Sequence, residues 1–142
     1  MRYLLLTLFL FAALTATAQS KPQKQDTPCN SPDLVLYNEL NKQLPEDSLP
    51  ITKVKLVVNN NPDCDKNVNF KVLKAKAYYV RDVRPLAEVE IEGDVFDFSI
   101  WEGPHKVGDR ILIQVLDVSY TFADGKTGKF PGAVMKNWHF TK

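Results

Sequence analysis

From Ile51 onward, hydrophobic and polar residues alternate with a period of two along most of the chain. "ITKVKLVV" (51–58) sets Ile51, Lys53, Lys55 and Val57 against Thr52, Val54, Leu56 and Val58. "NFKVLKAKAYYV" (69–80) places Phe70 and Val72 on one side, with Lys71 facing away. "LAEVEIEG" (86–93) alternates most cleanly. Ala87, Val89 and Ile91 share one face, and Glu88, Glu90 and Glu92 share the other. A period of two gives a pleated strand one apolar face and one wet face. Three carboxylates on one side require water, or lysines on the neighbouring strand. "VFDFSIW" (95–101) lines up Phe96, Phe98 and Ile100. "RILIQVLDVSYTF" (110–122) is apolar on both faces and rich in branched residues, which predicts a central strand. "AVMKNWHF" (133–140) predicts a closing strand, and turn-forming residues separate these segments.

One segment reads differently. In "SPDLVLYNELNKQL" (31–44), Ser31 can cap a helix, Pro32 suits its first position, and Asp33 complements the dipole of the first turn. Leu36, Leu40 and Leu44 recur at i, i+4 and i+8. A strand at "LVLY" competes, but the cap favours a helix over 31–44. One helix and about six strands spaced by turns predict a mainly β fold. The expected form is a small antiparallel β-sandwich (Ig-like) or barrel, in a single domain over 31–142.

The N-terminal residues carry a different pattern. "MRYLLLTLFLFAALTATA" (1–18) has a positive Arg2, an apolar run from Tyr3 to Leu14, and Ala16 and Ala18 in an A-x-A arrangement. This predicts a secretory signal peptide cut after Ala18. The run is shorter than the ~20 apolar residues of a spanning helix, so no stable membrane insertion is expected after cleavage. Residues 19–30, "QSKPQKQDTPCN", are polar and predict a flexible tether. Export makes the destination periplasmic or extracellular. There a disulfide between Cys29 and Cys64, the two cysteines of the chain, becomes possible.

Charge then narrows the partners. Of 18 basic and 17 acidic residues, cleavage removes only Arg2, so the mature chain is formally neutral. Without a net field, nucleic acid is not an expected partner.

Candidate chemistry is sparse. "GKT" at 125–127 resembles part of a phosphate loop, but the first glycine of that motif falls at Tyr120, mid-strand. Gly128, Pro131 and Gly132 also prevent a helix from starting after it. The stretch instead predicts a turn, with Gly125 and Gly128 supplying positive backbone angles. His105 and His139 lack a carboxylate or second histidine at ligand spacing, and no serine occupies a nucleophile elbow. "DCDKN" (63–67) begins like a calcium loop, yet Val68 stands where its glycine should be and Lys74 where its glutamate should be. No cofactor, metal or catalytic residue is therefore expected. A possible contact loop remains at Trp101, Pro104, His105 and Lys126.

"FKVLKAKAYY" followed by "HKVGDRILIQVLDVSYTFADGKTGKFPG" resembles the C-terminal domain of the GldM family, gliding-motility and secretion proteins of Bacteroidetes. The matching positions are Phe70 and Val72, then Gly108, Asp109, Arg110 and Ile111, then Asp117 and Val118, and finally Asp124 and Gly125. The likeness spans about residues 68–140. It departs before Gly108, where "EGPHKVGD" is too short for the helix usual in that family. The resemblance implies an exported β-sandwich used for protein contacts without catalysis, with another envelope or secreted protein as partner. The alternative from another class is a small secreted carbohydrate- or ligand-binding domain, or a hydrolase whose site assembles in space.

Overall fold

The period-two segments fold as strands. The computed structural model describes residues 32–47, 52–64, 67–103 and 105–140. The expected leader and tether lie outside these residues. In chain order the strands are β1 (Asp33–Asn38), β2 (Lys53–Asn59), β3 (Val68–Arg81), β4 (Arg84–Glu92), β5 (Val95–Asp97), β6 (Arg110–Phe122), β7 (Thr127–Lys129) and β8 (Val134–His139). They form two antiparallel sheets. One has the order β1-β2-β5. The other runs β4-β3-β6, with β7 and β8 on the far edge of β6 at its two ends.

The sheets share one core, the arrangement of a β-sandwich. Leu34, Leu36, Val54, Leu56 and Val58 meet Ala75, Ala77, Ile91, Ile111, Ile113 and Val115, with Trp138 buried among them. Each leucine, isoleucine or valine among them contributes about 1.5–3 kcal/mol of burial before its entropy cost. The outer face of β4 finds the lysines its carboxylates require. Lys74 lies 2.9 Å from Glu90 and 3.7 Å from Glu92, and Lys76 bonds Glu88.

Strand β6 is central, as expected, but it is not apolar on both faces. Its buried residues are Ile111, Ile113 and Val115, then Val118 and Tyr120. The phase flips because Leu116 is an extra residue, unpaired with β3, and Leu73 on β3 is its counterpart. Two opposed bulges keep both strands' apolar sets on the core side. A flipped phase reads, in sequence, as apolar residues on both sides.

The expected helix over 31–44 is not formed. Residues 33–38 are β1, paired with β2 at Leu34↔Val58 and Leu36↔Leu56. Leu34 and Leu36 are fully buried, whereas Leu40 of the supposed stripe is 86% exposed. A cap contributes only about 1 kcal/mol. Burying two leucines and closing a ladder with β2 outweighs it. Asn38 then turns the chain, its side chain accepting from the N–H groups of Leu40 and Lys42, and Asn41 adopts a left-handed φ of 55°. The returning segment crosses between the sheets. Leu44 N–H donates to Leu36, and His139 N–H on β8 donates to Glu46. Lys136 reinforces this seam, with Asp33 at 2.7 Å and Glu46 at 2.9 Å.

The segment 95–101 is a strand only to Asp97. Asp97 accepts from Ser99 N–H and caps a 3₁₀ turn over Phe98–Trp101. Phe98 is buried, but the turn sends Ile100 outward at 59% exposure, off the face it was expected to share with Phe96.

Candidate functional site

Alternation places two charged residues on the inner faces of the larger sheet, where charge is costly. Asp109 continues the buried phase of Ile111 and Ile113; Arg81 continues that of Ala77 and Tyr79. They solve the problem together. Arg81 donates to Asp109 through Nε at 2.9 Å and Nη2 at 2.8 Å. The Tyr79 hydroxyl also donates to Asp109, and so does Lys106 N–H at 2.7 Å. The Arg81 hydrogen bonds hold the Asp109 carboxyl well below the usual carboxylate range, against the opposing effect of burial. Burial, with the Asp109 bond, pushes the Tyr79 phenol up.

This knot anchors the loop between the 3₁₀ turn and β6. Asp109 N–H donates to Lys106, Gly108 N–H donates to Phe140, and Phe140 N–H donates back to Asp109. Gly108 needs its glycine because φ is +91°. Trp101 is half-buried. It stacks on Phe98 at 5.6 Å between ring centroids, with Tyr79 at 5.9 Å. Beside it opens a cavity of about 230 Å³, lined by Tyr79, Arg81, Leu86, Ala87, Ile100 and Trp101. Leu86 points there because β4 carries a bulge: Tyr79 pairs with Ala87 and Val80 with Pro85, leaving Leu86 extra. Two of the cavity's lining residues, Leu86 and Ile100, are exposed apolar side chains, and Val83 at the tip of the β3–β4 hairpin and Val107 in the anchored loop are exposed as well.

The four expected contact residues do not form one surface. Trp101 and His105 lie at this end, and Pro104 lies outside the described residues. His105 stacks on Phe140 at 5.2 Å, and its Nδ1 is buried with no hydrogen-bond partner among the described residues. Lys126 belongs to the β6–β7 turn, at the opposite end of the thirteen-residue β6. There Asp124 accepts from Lys126 N–H at 3.0 Å and pairs with its ammonium at 3.0 Å. Gly125 has the expected positive φ, +85°, but Gly128 does not. Gly128 is a β7 residue opposite Tyr120, and a Cβ there would strike the tyrosine ring.

Cys64 follows a turn in which its N–H donates to Asn61. Among the described residues no cysteine is free; Cys29 lies outside them, as does Asp65 of the calcium-like stretch. The described residues contain no group of three or more His, Cys, Asp or Glu able to hold a metal, and no helix long and apolar enough to cross a membrane.

Sequence reasoning missed Tyr79, Arg81, Leu86, Ile100 and Val107. For Arg81 and Asp109 a signal existed: each extends an inward phase with a charge of opposite sign. No known protein family matches the chain, and neither does any curated protein or solved structure.

Proposed function

We propose that this chain is an exported, non-catalytic module that holds another envelope or secreted protein through the end of the sandwich bearing Trp101. One observation carries the reading. Two exposed apolar side chains, Leu86 and Ile100, line a cavity of about 230 Å³ beside Trp101, and two more, Val83 and Val107, lie two residues along the chain from Arg81 and Asp109, the pair that ties this end together. Exposed apolar clusters rimmed by polar residues are a mark of protein contact sites. The cavity is smaller than the ~300–1,000 Å³ of drug-sized ligand sites and suits a single apolar side chain. Phe98 stacks on one face of the Trp101 ring, and Tyr79 and Phe96 crowd it further at 5.9 Å and 6.4 Å between centroids, which weighs against an open sugar-stacking platform.

The strand order supports an Ig-like reading of the sandwich. Constant-type domains set ABED against CFG. Here the order is 1-2-5 against 4-3-6-7, so the fourth strand lies beside the third instead of the fifth. The GldM-like stretch over 68–140 and the leader at 1–18 point the same way, to a contact domain outside the cytoplasm. In that compartment we take Cys64 to pair with Cys29.

Photo-crosslinkers at Ile100, Leu86 and Val107 in the native cell test the reading, with Lys126 as the distant control. One partner trapped from the three end positions, and absent from Lys126, is the expected outcome. Equal trapping from both ends, or none from either, removes the proposal.

A further inference from the structure

Among the described residues, the longest open strand edge of the sandwich is that of β4. The segment carrying Gln43, Leu44 and Glu46 meets the edge of β1 at Leu36 and Tyr37 and that of β8 at His139, and both strands are only six residues long. Strands β5 and β7 are three residues each. Strand β4 is nine residues long, ends the order β4-β3-β6, and has no partner on its other side among the described residues. An unpaired row of N–H and C=O groups is a template for an added strand.

We propose that an extended segment of the partner adds to β4 as a sixth strand of the larger sheet, and that this segment alternates lysine or arginine with apolar residues. The proposal rests on the contact reading above and specifies its chemistry. Two features of β4 select the occupant. On the outer face Glu88, Glu90 and Glu92 confront only Lys74 and Lys76, so one carboxylate is in excess, and Glu92 keeps 78% of its side chain exposed. An incoming strand places its outward side chains directly beside these glutamates, where opposite charge is favourable and like charge is not. On the inner face Ala87 and Val89 are half-buried, and Leu86 with Ala87 lines the Trp101 cavity. The same strand's inward residues cover Val89 and put one apolar side chain into that cavity. A second copy of this chain is a poor occupant, because β4 against β4 sets glutamate beside glutamate.

The probe is a nine-residue peptide alternating lysine and valine, with leucine at its centre. It is compared with its glutamate counterpart and with a lysine peptide N-methylated on alternate residues. Binding is read by fluorescence anisotropy on the mature chain, and amide hydrogen exchange locates it. The lysine peptide is expected to bind roughly tenfold more tightly than the glutamate peptide, from two or three cross-strand pairs. It should protect outward amides of β4, and N-methylation should abolish binding. The triple variant Glu88→Gln, Glu90→Gln, Glu92→Gln should still fold and bind while losing the preference for lysine. Equal affinity for both peptides, unaffected binding of the N-methylated form, absence of binding, or β4 amides already protected in a dimer would each overturn the proposal. Crosslinking at Ile100 stays informative in all these cases: a partner trapped there without any edge binding leaves the contact surface standing and removes only the added strand.

Discussion

Asp109→Asn tests the stiffening of the Trp101 end most directly. The carboxylate serves four donors with two oxygens: Arg81 Nε at one, and Arg81 Nη2, the Tyr79 hydroxyl and Lys106 N–H at the other. An amide has one oxygen. Aimed at the three donors, it turns its NH₂ toward Arg81 Nε, so a charge-assisted bond becomes a clash of two donors. A hydrogen bond to a charged group contributes about 1.5–3 kcal/mol, and breaking a buried pair costs about 3–5 kcal/mol. Arg81 keeps 30% of its side chain exposed and recovers some water, which moves the cost to the lower end. The expected loss at neutral pH is about 3 kcal/mol, or a fall of about 10 °C in Tm for a domain of this size. The pH dependence has a definite sign. The folded pKa of Asp109 is depressed, so its contribution is fully present above the unfolded value of about 3.9 and disappears as pH falls toward the folded value. The gap between native protein and variant should therefore hold from about pH 7 to about pH 5 and narrow below about pH 4. Urea denaturation followed by tryptophan fluorescence, with the protein kept oxidised, measures it. A loss under about 1 kcal/mol at neutral pH, or a gap unchanged into acid, would refute the reasoning.

Two further outcomes follow from the geometry. Gly128→Ala puts a Cβ 3.0 Å from Cε1 of Tyr120 and closer still to Cζ and the hydroxyl, so thermal denaturation should register a loss of about 1–3 kcal/mol. Most of that loss should vanish in a Tyr120→Leu background; a double-mutant cycle with no coupling would contradict the contact. Reduction of the Cys29–Cys64 pairing inferred above should cost roughly 3–4 kcal/mol by the chain-entropy argument, and Cys29→Ala should be insensitive to reductant. Identical unfolding curves with and without reductant would show that no such link exists.

The β-rich class, the segments that became β2, β3, β4, β6 and β8, and the shared outer face of the β4 glutamates were legible because alternation is a local property. A period of two determines which side chains share a face, whatever lies opposite. Longer-range choices were not legible. Whether 33–38 became helix or strand depended on Leu34 and Leu36 finding Val58 and Leu56 some twenty residues on, and no local cap could compete with that burial. The flipped phase of β6 depended on the matching bulge in β3. The candidate site shows the division most clearly. The sequence alone put Arg81 and Asp109 on inward phases. Only folding brought them together, through the pairing of β3 with β6, and aimed Leu86 and Ile100 at the cavity beside Trp101. Periodicity assigns a side chain to a face, but proximity between residues 28 apart arises from the register of strands, which is settled by the total burial of the core.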